Sequence, residues 1–118
     1  MDKKEKAAKR AIIGQHLDLS KNRLKDHEVE ELFDIVSNPD KYNGKKATRK
    51  NKFRDWSSEG RYERQEEETF TLKTDDKGLR IRKHYKFQDD DGYSGESESE
   101  ISDVRGILKL LRLFRMKD

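Results

Sequence analysis

The stretch from Ser99 to Lys117 constrains this chain most, because it concentrates apolar side chains that the rest of the sequence lacks. Ile101, Val104, Ile107, Leu108, Leu110, Leu111, Leu113 and Phe114 fall there. At about 100° per residue they sweep an arc of roughly 220° on a helix, with Arg105, Lys109 and Arg112 as a narrow basic stripe opposite. Such a helix needs cover over most of its surface. Full burial of its large side chains would contribute on the order of 12–24 kcal/mol before chain entropy is subtracted, so it dominates any core available here.

Cover is scarce. Of 118 residues, 45% are charged and 30% hydrophobic, and the mean hydropathy is −1.31. A chain of this size and polarity supports one domain, residues 1–118, with a small core and a partly flexible helical N-terminus over residues 1–25. There is no cysteine, which excludes a disulfide framework, a thiolate metal site and a catalytic thiol. Met1 to Arg10 is charged and lacks a signal-type apolar run, and no stretch approaches the roughly 18 apolar residues of a membrane span. The expectation is a protein with no membrane partner, cytoplasmic, or nuclear if the host is eukaryotic.

Helical spacing and local chemistry place the remaining elements. Residues 2–13 use good helix formers and stop at Gly14; Leu17, Leu19 and Leu24 then run through a polar linker. Asp26 is the expected N-cap of a second helix in which Val29, Leu32, Phe33 and Val36 share one face, ending before Pro39. From Arg61 the period becomes two: Phe70 and Leu72, then Leu79, Ile81, Tyr85 and Phe87, alternate with polar residues about a turn at Thr74-Asp75-Asp76-Lys77-Gly78. That predicts a β-hairpin. Residues 40–58 read as a basic loop, residues 88–98 as an exposed acidic loop, and Ser99 or Ser102 as the cap of the C-terminal helix. The fold class is therefore α+β: two N-terminal helices, a β-hairpin, and a long C-terminal helix packed on it.

Charge is segregated along the chain. Residues 1–54 carry 15 Lys/Arg against 9 Asp/Glu, residues 55–103 carry 8 against 15, and residues 104–118 carry 5 against 1. The basic segment, with Lys45, Lys46, Arg49, Lys50, Lys52 and Arg54 beside Tyr42, Phe53 and Trp56, has the composition that neutralises phosphates and stacks on bases. A solvated loop, or a localisation signal, is the plainer account of the same residues. Arg80, Arg82, His84 and Lys86 extend that surface, or pair with glutamates across the hairpin.

Catalytic and metal motifs do not assemble. Asp89, Asp91 and Gly92 fail the spacing of a calcium loop, and His16, His27 and His84 lack any metal-binding spacing. No phosphate-binding glycine loop or nucleophile elbow occurs, and Glu66, Glu67 and Glu68 find no convergent partners for a nuclease. Ser97 with Glu100 suits an acidophilic kinase. No cofactor, metal or catalytic residue is expected.

The leading expectation is a non-enzymatic nucleic-acid-binding accessory or regulatory protein, of the type small viral and phage genes encode, with Lys45, Lys46, Arg49, Lys50, Lys52 and Arg54 on phosphates and Trp56 stacking. The alternative is a protein–protein module, an inhibitor or adaptor. It would bind a basic partner through Asp89, Asp90, Asp91, Glu96 and Glu98 and through Leu110, Leu113 and Phe114. The same apolar arc of the C-terminal helix suits a homo-oligomer interface.

Overall fold

The computed structural model describes residues 1–19, 22–57 and 60–115. Helices α1 (Lys3–Gly14), α2 (Asp26–Ser37) and the one-turn α3 (Pro39–Tyr42) precede four strands, β1 (Lys46–Ser57), β2 (Gly60–Asp75), β3 (Gly78–Asp89) and β4 (Ser94–Ile101), and α4 (Val104–Arg115) closes the order. The strands form one antiparallel sheet in sequence order, β1-β2-β3-β4. The class is α+β, with the expected hairpin as the middle pair, β2 and β3, of a larger meander.

Helices α1, α2 and α4 begin where a side chain can satisfy free amides. The Asp2 carboxylate accepts from Glu5 N–H at 2.7 Å, and the Glu28 carboxylate accepts from Lys25 N–H at 2.8 Å. Asp26 is thus the first residue of α2, not its cap. In α4 the capping carboxylate is Asp103, which accepts from Gly106 N–H at 2.8 Å; Ser99, expected as a cap, belongs to β4. The expected helix end at Lys117 lies outside the described residues.

The core is one cluster under half of the sheet. Val29, Leu32, Ile35 and Val36 of α2 meet Phe70 and Leu72 of β2, Leu79 and Ile81 of β3, and Val104, Ile107 and Leu111 of α4. Leu17, Leu19 and Leu24 are also buried, so the supposed polar linker between α1 and α2 supplies three core side chains. His16 carbonyl oxygen accepts from Leu79 N–H at 2.8 Å, which fixes this segment to the β2–β3 turn. Leu108, Leu110, Leu113 and Phe114 are half-buried against the same cluster, and Arg105–Glu28 (3.4 Å) and Arg115–Glu31 ion pairs tie α4 to α2.

Two expected loops are strands. Residues 46–57 form β1, paired with β2 from Lys46↔Thr71 to Ser57↔Gly60, and residues 94–98 belong to β4, paired with β3 from Gln88↔Ser94 to Ile81↔Ile101. Ser58, counted in the basic loop, lies outside the described residues. Neither strand has an apolar alternation because neither is ordered by burial of its own side chains. Lys50, Lys52 and Arg54 lie beside the glutamates of β2, and Glu96 and Glu100 beside His84 and Arg80 of β3. Opposite charges on neighbouring strands stabilise such pairings by a few tenths to about 1 kcal/mol each.

The helices cover only the end of the sheet that holds Phe70, Leu72, Leu79 and Ile81. The other end projects as a single layer, which gives the molecule extents of 63 × 28 × 24 Å. On its inner face Arg64 donates to Tyr85 Oη at 2.9 Å and lies 4.2 Å from the Phe87 ring centroid, while Tyr85 donates to Glu66 at 2.8 Å.

Candidate functional site

Side chains alternate between the two faces of a strand, so the register assigns each one. Ala47 and Arg49 of β1 lie on the helix side with Phe70 and Glu68. Lys46, Thr48, Lys50, Lys52, Arg54 and Trp56 lie on the opposite, uncovered face. Across the sheet that face continues with Arg61, Glu63, Gln65, Glu67, Thr69, Thr71, Lys73 and Asp75 of β2, the even residues of β3, and Glu96, Glu98 and Glu100 of β4. It holds nine Lys/Arg against six Asp/Glu.

Pairing on this face follows rows. Lys50, Glu67 and Lys86 stand in one row, the two ammonium groups 3.9 and 3.7 Å from the shared carboxylate. Glu63 receives three cations, Lys52 at 2.6 Å, Arg61 at 2.9 Å and Arg54 at 3.9 Å. Both clusters keep a cationic surplus. Between the strands Lys50, Lys52, Gln65, Glu67, Lys86, Gln88, Ser94 and Glu96 line most of an open groove of about 720 Å³. Trp56 ends the β1 row, 75% exposed, with the Arg61 guanidinium 6.0 Å from its ring centroid.

Three cations of this face have no ion-pair partner among the described residues. Among the described residues Lys46, Lys73 and Arg82 make no ion pair, and they surround Thr71: Lys46 and Arg82 are its register partners on either side, and Lys73 is two residues along its own strand. Adjacent strands lie about 4.8 Å apart and alternate residues about 6.8 Å, so three long cationic side chains converge on one uncovered patch. Lys73 was not singled out from the sequence. The signal was its alternation with Thr69 and Thr71, legible only once Lys46 is known to pair beside it.

The sequence-derived residues divide. Lys46, Lys50, Lys52, Arg54 and Trp56 share the open face. Arg49 does not: it lies on the inner face, its Nη2 2.8 Å from Glu68, and so is removed from the set. Lys45 precedes β1 and its ammonium lies 5.3 Å from the Tyr42 ring centroid. Asp89 is occupied by its own turn, accepting from Asp91 N–H (3.0 Å), Tyr93 N–H (2.8 Å) and Tyr62 Oη (3.0 Å). Asp90 and Asp91 are exposed beside it, whereas Glu96 and Glu98 stand on β4, so these five acids do not form one loop surface. Leu110, Leu113 and Phe114 lie against the core on α4, away from those acids.

Among the described residues Glu68 is the one carboxylate buried against the core, 7% exposed, with Lys83 Nζ at 2.8 Å as its second cation. Burial alone would raise its pKa, but hydrogen bonds from Lys83 and Arg49, with their charges, outweigh burial and hold it below its ordinary value. Its role is structural. No protein-family model, curated protein or solved structure matches this chain.

Proposed function

We propose that the chain is a non-enzymatic nucleic-acid-binding protein whose interface is the uncovered face of its sheet. The observation that carries this reading is the convergence of Lys46, Lys73 and Arg82, three cations with no carboxylate partner, about Thr71. Among the described residues other exposed cations, such as Lys77 and Lys109, also make no ion pair, so the weight rests on three converging on one strand-built patch. Leaving three unpaired on one patch favours an external polyanion. From there the β1 row leads through Lys50, Lys52 and Arg54 to the exposed indole of Trp56, about 34 Å from Lys46 at strand spacing. A charged track ending in an aromatic platform suits a single strand, whose backbone the cations follow and whose base the indole stacks. Gln65 and Gln88 in the groove can donate to and accept from base edges.

Fluorescence-anisotropy titration of labelled single-stranded DNA, single-stranded RNA and duplex across a salt series tests this. The single strands should bind at low salt, with log K falling linearly in log salt. Lys46→Glu with Arg82→Glu should remove binding. Trp56→Ala should weaken it by about 1–3 kcal/mol while leaving the salt slope unchanged. Absence of binding to every nucleic acid at low salt would discard the reading.

A further inference from the structure

We propose that β1 of one copy pairs with β4 of a second, so that the protein associates head to tail through the two edges of its sheet. Both edges are regular strands without a proline, and among the described residues no strand pairs with their outer sides. Such edges bind another strand unless charge prevents it. Here charge selects the partner. On the open face β1 presents Lys46, Lys50, Lys52 and Arg54, while β4 presents Glu96, Glu98 and Glu100. Two β1 edges would set lysine against lysine and two β4 edges glutamate against glutamate, so either symmetric pairing is repelled; only the unlike pair is attractive.

Direction and register agree with this pairing. In a four-stranded antiparallel meander β4 runs opposite to β1, so a copy displaced sideways brings its β1 antiparallel to β4 and continues the same sheet. Continuing the rows sets Lys50 beside Glu96 and Thr48 beside Glu98. The alternative register that keeps the faces matched, two residues along, sets Lys52 beside Glu96 and Lys50 beside Glu98. Either is complementary. Glu98 itself has no ion pair among the described residues, a carboxylate left free at the edge. On the other face, Phe53 is 54% exposed and in the second register comes beside Gly95, over which the Phe87 ring lies and offers it an apolar neighbour. The contact is heterologous: each association leaves one basic and one acidic edge free, so growth does not stop at two copies. It shares Lys50, Lys52 and Arg54 with the nucleic-acid reading but does not rest on that reading and does not use Lys73 or Arg82.

Sedimentation velocity over a concentration series, without nucleic acid, tests the pairing. Wild type should sediment faster with rising concentration at low salt and revert toward the 14.0 kDa monomer in high salt. Lys50→Glu/Lys52→Glu sets glutamates against Glu96 and Glu98 across the contact, and Glu96→Lys/Glu98→Lys sets lysines against Lys50 and Lys52; each should be monomeric alone. Their equimolar mixture should regain association. A misfolded variant could not do so, and the milder Lys52→Gln and Glu98→Gln should each weaken association part-way. A wild type that stays monomeric throughout, variants that associate like wild type, or a mixture that stays monomeric would each overturn the proposal.

Discussion

Arg49 and Glu68 face each other in register across β1 and β2, the guanidinium donating from Nε at 2.9 Å with Nη2 at 2.8 Å from the same carboxylate oxygen. Removing the carboxylate leaves Arg49 and Lys83 facing each other over the core edge. Glu68→Gln is expected to cost about 1–2 kcal/mol, discounted because Arg49 is half in solvent. Arg49→Met should lower the melting temperature without weakening nucleic-acid binding. Thermal melts and titrations on the same samples separate these effects.

Acid should destabilise the fold in a defined direction. Glu68 lies below its ordinary value for the reasons given above, and Asp75 lies below its own through the Arg80 hydrogen bond and the Lys77 N–H. A carboxylate whose folded pKa is depressed stabilises above its unfolded value and loses that contribution as pH falls through the folded one. The melting temperature should therefore change little between neutral pH and about 5, then drop below about 4. Glu68→Gln should flatten the acid limb.

Gly78 is the glycine that tolerates substitution least. Its φ is +102°, and a Cβ there would lie 2.5 Å from the His16 carbonyl oxygen, a backbone atom that also accepts from Leu79. Gly92, at φ +86°, has open space around it. Gly92→Ala should cost about 1 kcal/mol from backbone strain alone, and Gly78→Ala more than about 2 kcal/mol, because the β2–β3 turn must leave the segment that follows α1. Denaturant midpoints of the two variants give the difference.

Leu111 is 3% exposed in the core cluster. Leu111→Ala is expected to cost about 2–5 kcal/mol. Leu111→Asp should leave no cooperative melt, since a buried unpaired carboxylate exceeds what a domain of this size can absorb.

Trp56 is the single tryptophan, and it is 75% exposed in the native state. Its emission should be red-shifted and readily quenched by acrylamide before unfolding as well as after. Binding of a single strand should quench it and protect it from acrylamide.

Helices α1, α2 and α4 and the central hairpin were legible in the sequence because burial writes a period, whereas the one-turn α3, which has no buried residue, falls at the start of the expected basic loop. Val29, Leu32 and Val36 mark one face of α2, and Phe70, Leu72, Leu79 and Ile81 one face of the hairpin. The outer strands were not, because their order comes from neighbours. Lys46 to Arg54 looks like a loop until Glu63 to Glu68 is set beside it, and Gly95 to Glu100 alternates small residues with glutamate, a period of two with no large apolar member. That error moved the candidate site as well. Read as a loop, the basic segment let Arg49 count with its neighbours; as a strand it turns Arg49 inward, and Lys73 and Arg82 take its place on the open face.

The projecting half of the sheet gives the molecule two zones that answer to different solvents. Where the helices lie, folding rests on expelled water, and moderate salt changes little. Beyond Glu68 the strands are held by backbone ladders and by carboxylates shared among cations, such as Glu63 and Glu67, which ionic strength weakens. Amide exchange should therefore be graded along β2, slow at Phe70 and Leu72 and progressively faster toward Tyr62, with the boundary moving toward the core as salt is added.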